Sequence, residues 1–511
     1  MISVSSLVMK TLFVLFFFAS VILLVIPVDA QDKPARIPAG YSVEKIETPK
    51  GVSLGVGGME FAPDGSLILC TREGEVWKYV ISSKQWSLFA DGLHESLGVW
   101  IDPKTGESYV IQRGEITKLI DTNGDGRADL YESFNADWGV TDNYHEYAFG
   151  LVRDSKGNFY GTLNTSLSWP GWSRSKKWDI ARVWTAGYRD TEGKMGRAAK
   201  YRGWCFKVTP NGKFEPFASG LRSPAGIGIN KEDELFFTDN QGDWEATSSL
   251  HHIVKDRFHG HPSSLWDHPD FKGKDLNAIA LKDYEKLWKR PAVWIPHGEL
   301  ATSPGEPIFN YTDGKFGPFE NQMFIGDQGR SNIMRVSLQK VGGDYQGVIF
   351  DFVNRLQTGC IRHVFAKDGS LWVGQTGRGW GSAGGKEYGL QRVSWDGKTT
   401  PFSMHDVKLT KTGFTVKFTK PVDSTLAKEA RSYMVERWGY HYHPRYGSGK
   451  TNHKKETPTN VTLAKDGRSV HLEVPLEPER VYKIILNGYK ARDGVPMANN
   501  MAWYTLNRLL E

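Results

Sequence analysis

The sequence has little cysteine: Cys70, Cys205 and Cys360 are the three in 511 residues. A disulfide scaffold is excluded, and one bridge with a thiol left over is the most that could form. No Cys-x-x-Cys-His occurs, so no covalently attached c-type haem is carried. Net charge is also small. The 64 basic and 58 acidic residues leave a net +6 with no dense basic block, so no nucleic-acid partner is indicated. A His-Glu-x-x-His helix motif is missing. The Gly-rich stretch 377–385 sits between strand patterns with no helix after it, which excludes a phosphate loop.

One long apolar run exists, at the N-terminus. Lys10 precedes an uncharged stretch from Thr11 to Val28, and Val28-Asp29-Ala30 offers small residues for cleavage. Residues 1–30 therefore read as a secretory signal peptide, with an uncleaved anchor as the alternative. The expectation is a secreted or periplasmic protein that is free of the membrane after cleavage.

What the chain has in quantity is glycine (55) and aromatics (18 Trp, 20 Tyr, 26 Phe). Together with few helical patterns, these point to an all-β chain rich in turns. A unit recurs from Val56 to Phe402: an apolar strand, an Asp-Gly-type turn, a second apolar strand. FAPDGSLILCTREGEVWKY, VWIDPKTGESYVIQRGEITKL, GLVRDSKGNFYGTLN, GIGINKEDELFFTDN, FGPFENQMFIGDQGRSNIMRV and HVFAKDGSLWVGQTG are the six copies. Asp, Asn and Gly accept the positive φ of tight hairpins. Alternation in Ser66-Leu67-Ile68-Leu69 and Ser370-Leu371-Trp372-Val373 fits strands half buried between stacked sheets. Six units predict a six-bladed β-propeller over residues 41–402. Two insertions interrupt it, at 166–201 and 252–290, the second with helical character near 280–287. From 403 to 511 the pattern changes to short strands that predict an Ig-like β-sandwich, to which no chemistry is assigned.

Asp121-Thr-Asn-Gly-Asp-Gly-Arg-Ala-Asp-Leu-Tyr-Glu132 fits a twelve-residue calcium loop. Asp121, Asn123, Asp125 and Asp129 would offer oxygens at positions 1, 3, 5 and 9. Arg127 would offer a carbonyl, and Glu132 a bidentate carboxylate. A calcium ion there is expected to be structural.

Polar residues recur just before the inner strands: Tyr144-His145-Glu146-Tyr147, Gly220-Leu221-Arg222-Ser223-Pro224, His297-Gly298-Glu299 and Cys360-Ile361-Arg362-His363. In a propeller such positions converge on one channel mouth, where a base and cationic clamps for an anion could meet. The 166–201 insertion adds Trp169, Trp172, Trp178 and Trp184 with Arg174 and Arg182, faces suited to sugar rings and acidic groups.

Over most of residues 56–402, GLVRDSKGNFYGTLN, FASGLRSPAGIGINKEDELFFTDNQGDW and GCIRHVFAKDGSLWVGQTG resemble the glucose/sorbosone dehydrogenase family of soluble quinoprotein propellers. The resemblance implies pyrroloquinoline quinone at the channel mouth, a calcium ion beside it, and sugar oxidation with a His base. Arg222 matches the cofactor-clamping Arg, with Ser223 where the family has Asn. Gly242-Asp243 stands at the family's Gly-Pro beside calcium, and Arg362 is the arginine kept from its Arg-x-Arg-Asp-Val. Glu146 aligns with the base, with His145 one position away. The resemblance also implies a carbohydrate substrate and a separate haem-protein electron acceptor. Two other readings stay open: a non-catalytic, calcium-stabilised propeller that binds glycan or protein, and a lyase or hydrolase using Glu146 and His297.

Overall fold

The structure, a computed structural model, describes residues 35–141, 143, 145–166, 199–377 and 381–511. The expected signal segment, Tyr144, and the insertion's Trp169, Trp172, Trp178, Trp184, Arg174 and Arg182 lie outside the described residues.

The repeated turns fold as hairpins. Gly65 has φ +83° and Gly369 φ +87°, values that L side chains rarely adopt. In each turn the preceding aspartate accepts the N–H of the following serine, Ser66 to Asp64 at 2.9 Å and Ser370 to Asp368 at 2.9 Å. The flanking strands then pair antiparallel, with Phe61 opposite Leu67 and Phe365 opposite Leu371.

Repetition gives four-stranded sheets in chain order at 56–90, 99–135, 148–219 and 227–295. A fifth set of strands spans 304–353 and a sixth 360–395. Tyr41–Lys45 completes the sixth sheet from outside, pairing Tyr41 with Trp395 and Lys45 with Gln391. The first strands are Val56–Phe61, Val99–Ile101, Ala148–Arg153, Ile227–Ile229, Pro304–Phe309 and Cys360–Phe365. Each contacts the first strand of the next set, and the sixth contacts the first. This all-β arrangement is consistent with a β-propeller. Its inner strands come close because glycine lines them: a Cβ on Gly98 would lie 1.4 Å from the Gly150 carbonyl oxygen.

The strands next to these inner ones are covered on both faces. Leu67–Thr71, Phe159–Leu163, Leu235–Asp239, Met323–Asp327 and Leu371–Thr376 are buried throughout. The half-burial expected from Ser66-Leu67-Ile68-Leu69 is thus corrected, because a neighbouring sheet lies against each side. The second insertion carries the short helix Leu281–Leu287. Cys70, Cys205 and Cys360 are free and buried. Among the described residues no helix is long and apolar enough to cross a membrane.

After Phe402 the chain builds two further sets of strands around their own core, which includes Val407, Phe414, Val435, Tyr482 and Tyr504. One is a four-stranded sheet. The other is joined edge to edge to the fifth set, with Gly347 opposite Thr505 and Ile349 opposite Trp503, and makes eight continuous strands.

Candidate functional site

Asp239 ends the second strand of the fourth sheet and organises the loop ahead of that sheet. Its carboxylate accepts the main-chain N–H of Arg222 at 2.8 Å and of Ser223 at 2.7 Å. Burial, reinforced by Glu245, pushes the Asp239 carboxyl up to about 6, against the pull of those N–H groups. The Arg222 side chain, 5% exposed, then runs over Gly242, where a Cβ would fall 1.8 Å from its guanidinium. Asp243 Oδ1 accepts from Arg222 Nε at 2.9 Å, and Asp243 Oδ2 lies 3.3 Å from His261 Nε2. His261 Nδ1 meets the Ser263 hydroxyl at 2.8 Å. Burial would raise the Asp243 carboxyl, but Arg222 and His261 hold it far below the usual range. No hydrogen bond joins the terminal amines of Arg222 to another described residue.

His145 belongs to the same network. Its Nδ1 lies 2.7 Å from the Thr165 carbonyl and its Nε2 2.9 Å from the Ser223 hydroxyl. A carbonyl can only accept, so Nδ1 carries a proton, and when that is the ring's single proton Nε2 accepts from the Ser223 hydroxyl. Glu146, fully buried, turns the other way. Its Oε2 accepts from the Thr141 N–H at 2.5 Å and hydroxyl at 2.9 Å, and its Oε1 from Ser166 at 2.5 Å. Arg202 braces the same loop by donating to the Gly139 and Tyr147 carbonyls.

Arg362 lies elsewhere, on the ring axis. Nε donates to the Gly57 carbonyl at 2.5 Å, Nη1 to Ala225 at 2.5 Å and Ile361 at 2.8 Å, and Nη2 to Leu97 at 3.2 Å. Glu306 is 3.7 Å away and the Phe149 ring centroid 5.1 Å. This one side chain therefore meets groups in or just before all six sets of strands. The expected anion clamp is corrected here to a pin, because its donors are engaged by main-chain carbonyls.

A cavity of about 240 Å³ also lies along the axis, lined by inner-strand residues that include Glu60, Leu151, Ile229 and Glu306. Burial raises both Glu60 and Glu306 to about 7. His297 binds Thr247 through its N–H and makes no contact with Glu146 among the described residues.

In the Asp121–Glu132 loop the acidic side chains turn onto the loop's own backbone. Asp121 accepts from Gly124 and Gly126, Asn123 from Asp125, Asp125 from Arg127, and Asp129 from Thr122. Arg127 pairs with Asp91, and Glu132 sits opposite Lys118 in the second sheet. Among the described residues no three His, Cys, Asp or Glu groups are placed to hold a metal ion.

No protein-family model and no curated protein matches this chain. Solved structures do. It is similar to the PQQ-bound aldose sugar dehydrogenase of Streptomyces coelicolor at 15% identity, covering 70% of this chain and 99% of that one, TM-score 0.46. It is similar to the pyranose dehydrogenase PQQ domain of Coprinopsis cinerea at 11% identity, covering 71% and 97%, TM-score 0.48. The apo soluble aldose sugar dehydrogenase of Escherichia coli matches at 14% identity, covering 69% and 99%, TM-score 0.44. These structural neighbours are sugar dehydrogenases, the class that the sequence motifs resemble.

Sequence reasoning missed one contributor. The C-terminal region sends Tyr440–Ser448 across to the fourth sheet. Tyr446 bridges Asp243, the Gly447 N–H binds the Gly242 carbonyl at 2.8 Å, and the Ser448 N–H binds Ala246 at 2.7 Å. Tyr442 donates to the Gly260 carbonyl at 2.6 Å and stacks on Trp288. The Tyr446 ring lies over Arg222, 5.4 Å from its guanidinium carbon. The expectation of no chemistry from this region is corrected, since it supplies a wall of the site. No local motif around Tyr446 signalled it.

Proposed function

We propose that this protein is a secreted six-bladed propeller, residues 41–402, with an Ig-like sandwich over 403–511, that acts on a carbohydrate in the manner of sugar dehydrogenases. The observation that carries the reading is Arg222. It is a buried guanidinium with one nitrogen tied to Asp243 and its terminal amines left to offer, beside a histidine whose tautomer is fixed. Such a fork suits a carboxylate.

Of the two arginines that the resemblance assigns to pyrroloquinoline quinone, Arg222 fits a carboxylate of that group and Arg362 does not. Gly242 and Asp243 serve by seating Arg222. When bound, the quinone supplies a two-electron acceptor, and a separate haem protein would take the electrons onward. The chain's own part is proton handling. A substrate hydroxyl set against Ser223 passes its proton to the Ser223 oxygen as the Ser223 proton moves to His145 Nε2. Glu146 positions the loop and takes no part in this relay, since its oxygens are already engaged by Thr141 and Ser166. Calcium at Asp121–Glu132 rests on sequence spacing alone, and its carboxylates would have to turn from backbone N–H groups toward the ion.

The test is to add pyrroloquinoline quinone and calcium to purified protein, follow uptake by absorbance, and follow dye reduction over a panel of sugars. Uptake with sugar-dependent reduction is expected, lost in His145→Ala. Absence of uptake removes the quinone and favours the second reading, a non-catalytic glycan-binding propeller. The engagement of Glu146 and Arg362 by protein groups supports that second reading.

A further inference from the structure

The seam between the C-terminal region and the fourth sheet has three features that together describe a subsite. Arg222 carries two terminal amines without a partner among the described residues, on a side chain 5% exposed. A buried cation with unmet donors favours an anionic or carbonyl ligand. Its floor is closed, because Gly242 lies directly beneath the guanidinium. The ring that covers it, Tyr446, is itself 49% exposed. Large aromatics among the described residues are otherwise mostly buried, and the strap that delivers Tyr446 is pinned on both sides, by Tyr442 on Gly260 and by Gly447 on Gly242. The ring is therefore held at the surface.

We infer that Tyr446 and Arg222 form a composite subsite for a ring bearing a carboxylate, with the carboxylate on the Arg222 amines and the ring face along Tyr446. The inference deepens the proposed function and rests on its placing the ligand at Arg222. Two sources share this chemistry, an acidic saccharide (a uronic acid unit) and a planar quinone carboxylate. A fork of guanidinium donors reads the carboxylate bidentately, and an exposed tyrosine face takes sugar C–H groups or a flat ring.

Titration calorimetry on the full chain tests it with digalacturonate, with pyrroloquinoline quinone, and with neutral galactobiose. At least one carboxylated ligand is expected to bind at least tenfold more tightly than galactobiose, and which one binds identifies the source. Tyr446→Ala should weaken that ligand at least tenfold with an unchanged melting temperature, Tyr446→Phe should keep it within about threefold, and Arg222→Gln should abolish it. Binding lost in Arg222→Gln but untouched by Tyr446→Ala overturns the inference and leaves the proposed function standing. Equal binding of galactobiose, or no binding of either acid, overturns it as well. Tyrosine-dependent binding without any dye reduction upholds it and sinks the oxidation reading instead.

Discussion

Arg222 and Arg362 stand at matching places, each just ahead of or at the start of an inner strand, and both are buried. Their surroundings separate them. Arg362 donates to four main-chain carbonyls, groups that no ligand could displace without opening the ring. Arg222 has one side-chain anchor, a glycine floor, an aromatic lid, and amines to offer. The difference teaches that burial and residue type do not assign a cation its role. What the donors already hold does. A guanidinium saturated by carbonyls is part of the frame, whereas one oriented by a single carboxylate is pre-set for something else.

The largest effect should come from the axis. Arg362→Ala leaves four buried carbonyls without donors, and a loss of more than about 4 kcal/mol is expected, read as insoluble protein or a collapsed urea midpoint. Arg362→Lys should fare little better, since an ammonium cannot reach the same set. Arg222→Ala should cost less, about 2–3 kcal/mol, because it strands the buried Asp243 carboxylate. Removing Asp243 as well should recover at least about 1 kcal/mol of that. Equal losses at Arg222 and Arg362 in urea melts would dissolve the comparison.

Acidity sharpens it further. Glu60, on the axial cavity, has a folded pKa raised by burial to about 7. Its stabilising contribution is present below the unfolded carboxylate range and is lost as pH rises toward 7. Glu60→Gln should therefore gain about 1–2 kcal/mol at pH 8 and almost nothing at pH 4, compared by urea titration at both pH values. Asp243 behaves oppositely. Its folded pKa is depressed, so its contribution is present above about 4 and lost as pH falls below that. The wild type should lose stability from pH 5 to pH 3 by about 1 kcal/mol more than Asp243→Asn does. An identical loss in both would mean that Arg222 does not hold the Asp243 carboxylate charged.

Much of the frame was legible because hairpin chemistry is local. Asp64-Gly65 and Asp368-Gly369 announce their turns within four residues, and the structure folds them so. The pairing of Tyr41–Lys45 with the outer side of the sixth set was not legible, since nothing in that strand names its partner. The site was half legible. Arg222, Gly242 and Asp243 lie together in the structure, and His145 joins them through Ser223. Glu146 is one residue from His145, yet it faces Thr141 and Ser166, because the chain turns tightly there, with the Glu146 N–H on the Asn143 carbonyl and the Tyr147 N–H on the His145 carbonyl. Arg362 carried the same signal as Arg222 and a different role, which only the carbonyls around it disclose. Tyr446 was beyond reach, since its contribution depends on a strap crossing from another part of the chain.

The clasp formed by Tyr41–Lys45 bears on the order of synthesis. Its partner Tyr388–Trp395 is among the last pieces of that architecture to be made, so the earliest strand must wait, unpaired, while sheet after sheet assembles behind it. Closing so distant a contact is entropically slow, and an unpaired edge invites misassociation meanwhile. A newly made chain would be most exposed to aggregation or to a holding chaperone during that interval, and a nascent chain stalled before Tyr388 should be seized by protease where the finished one resists.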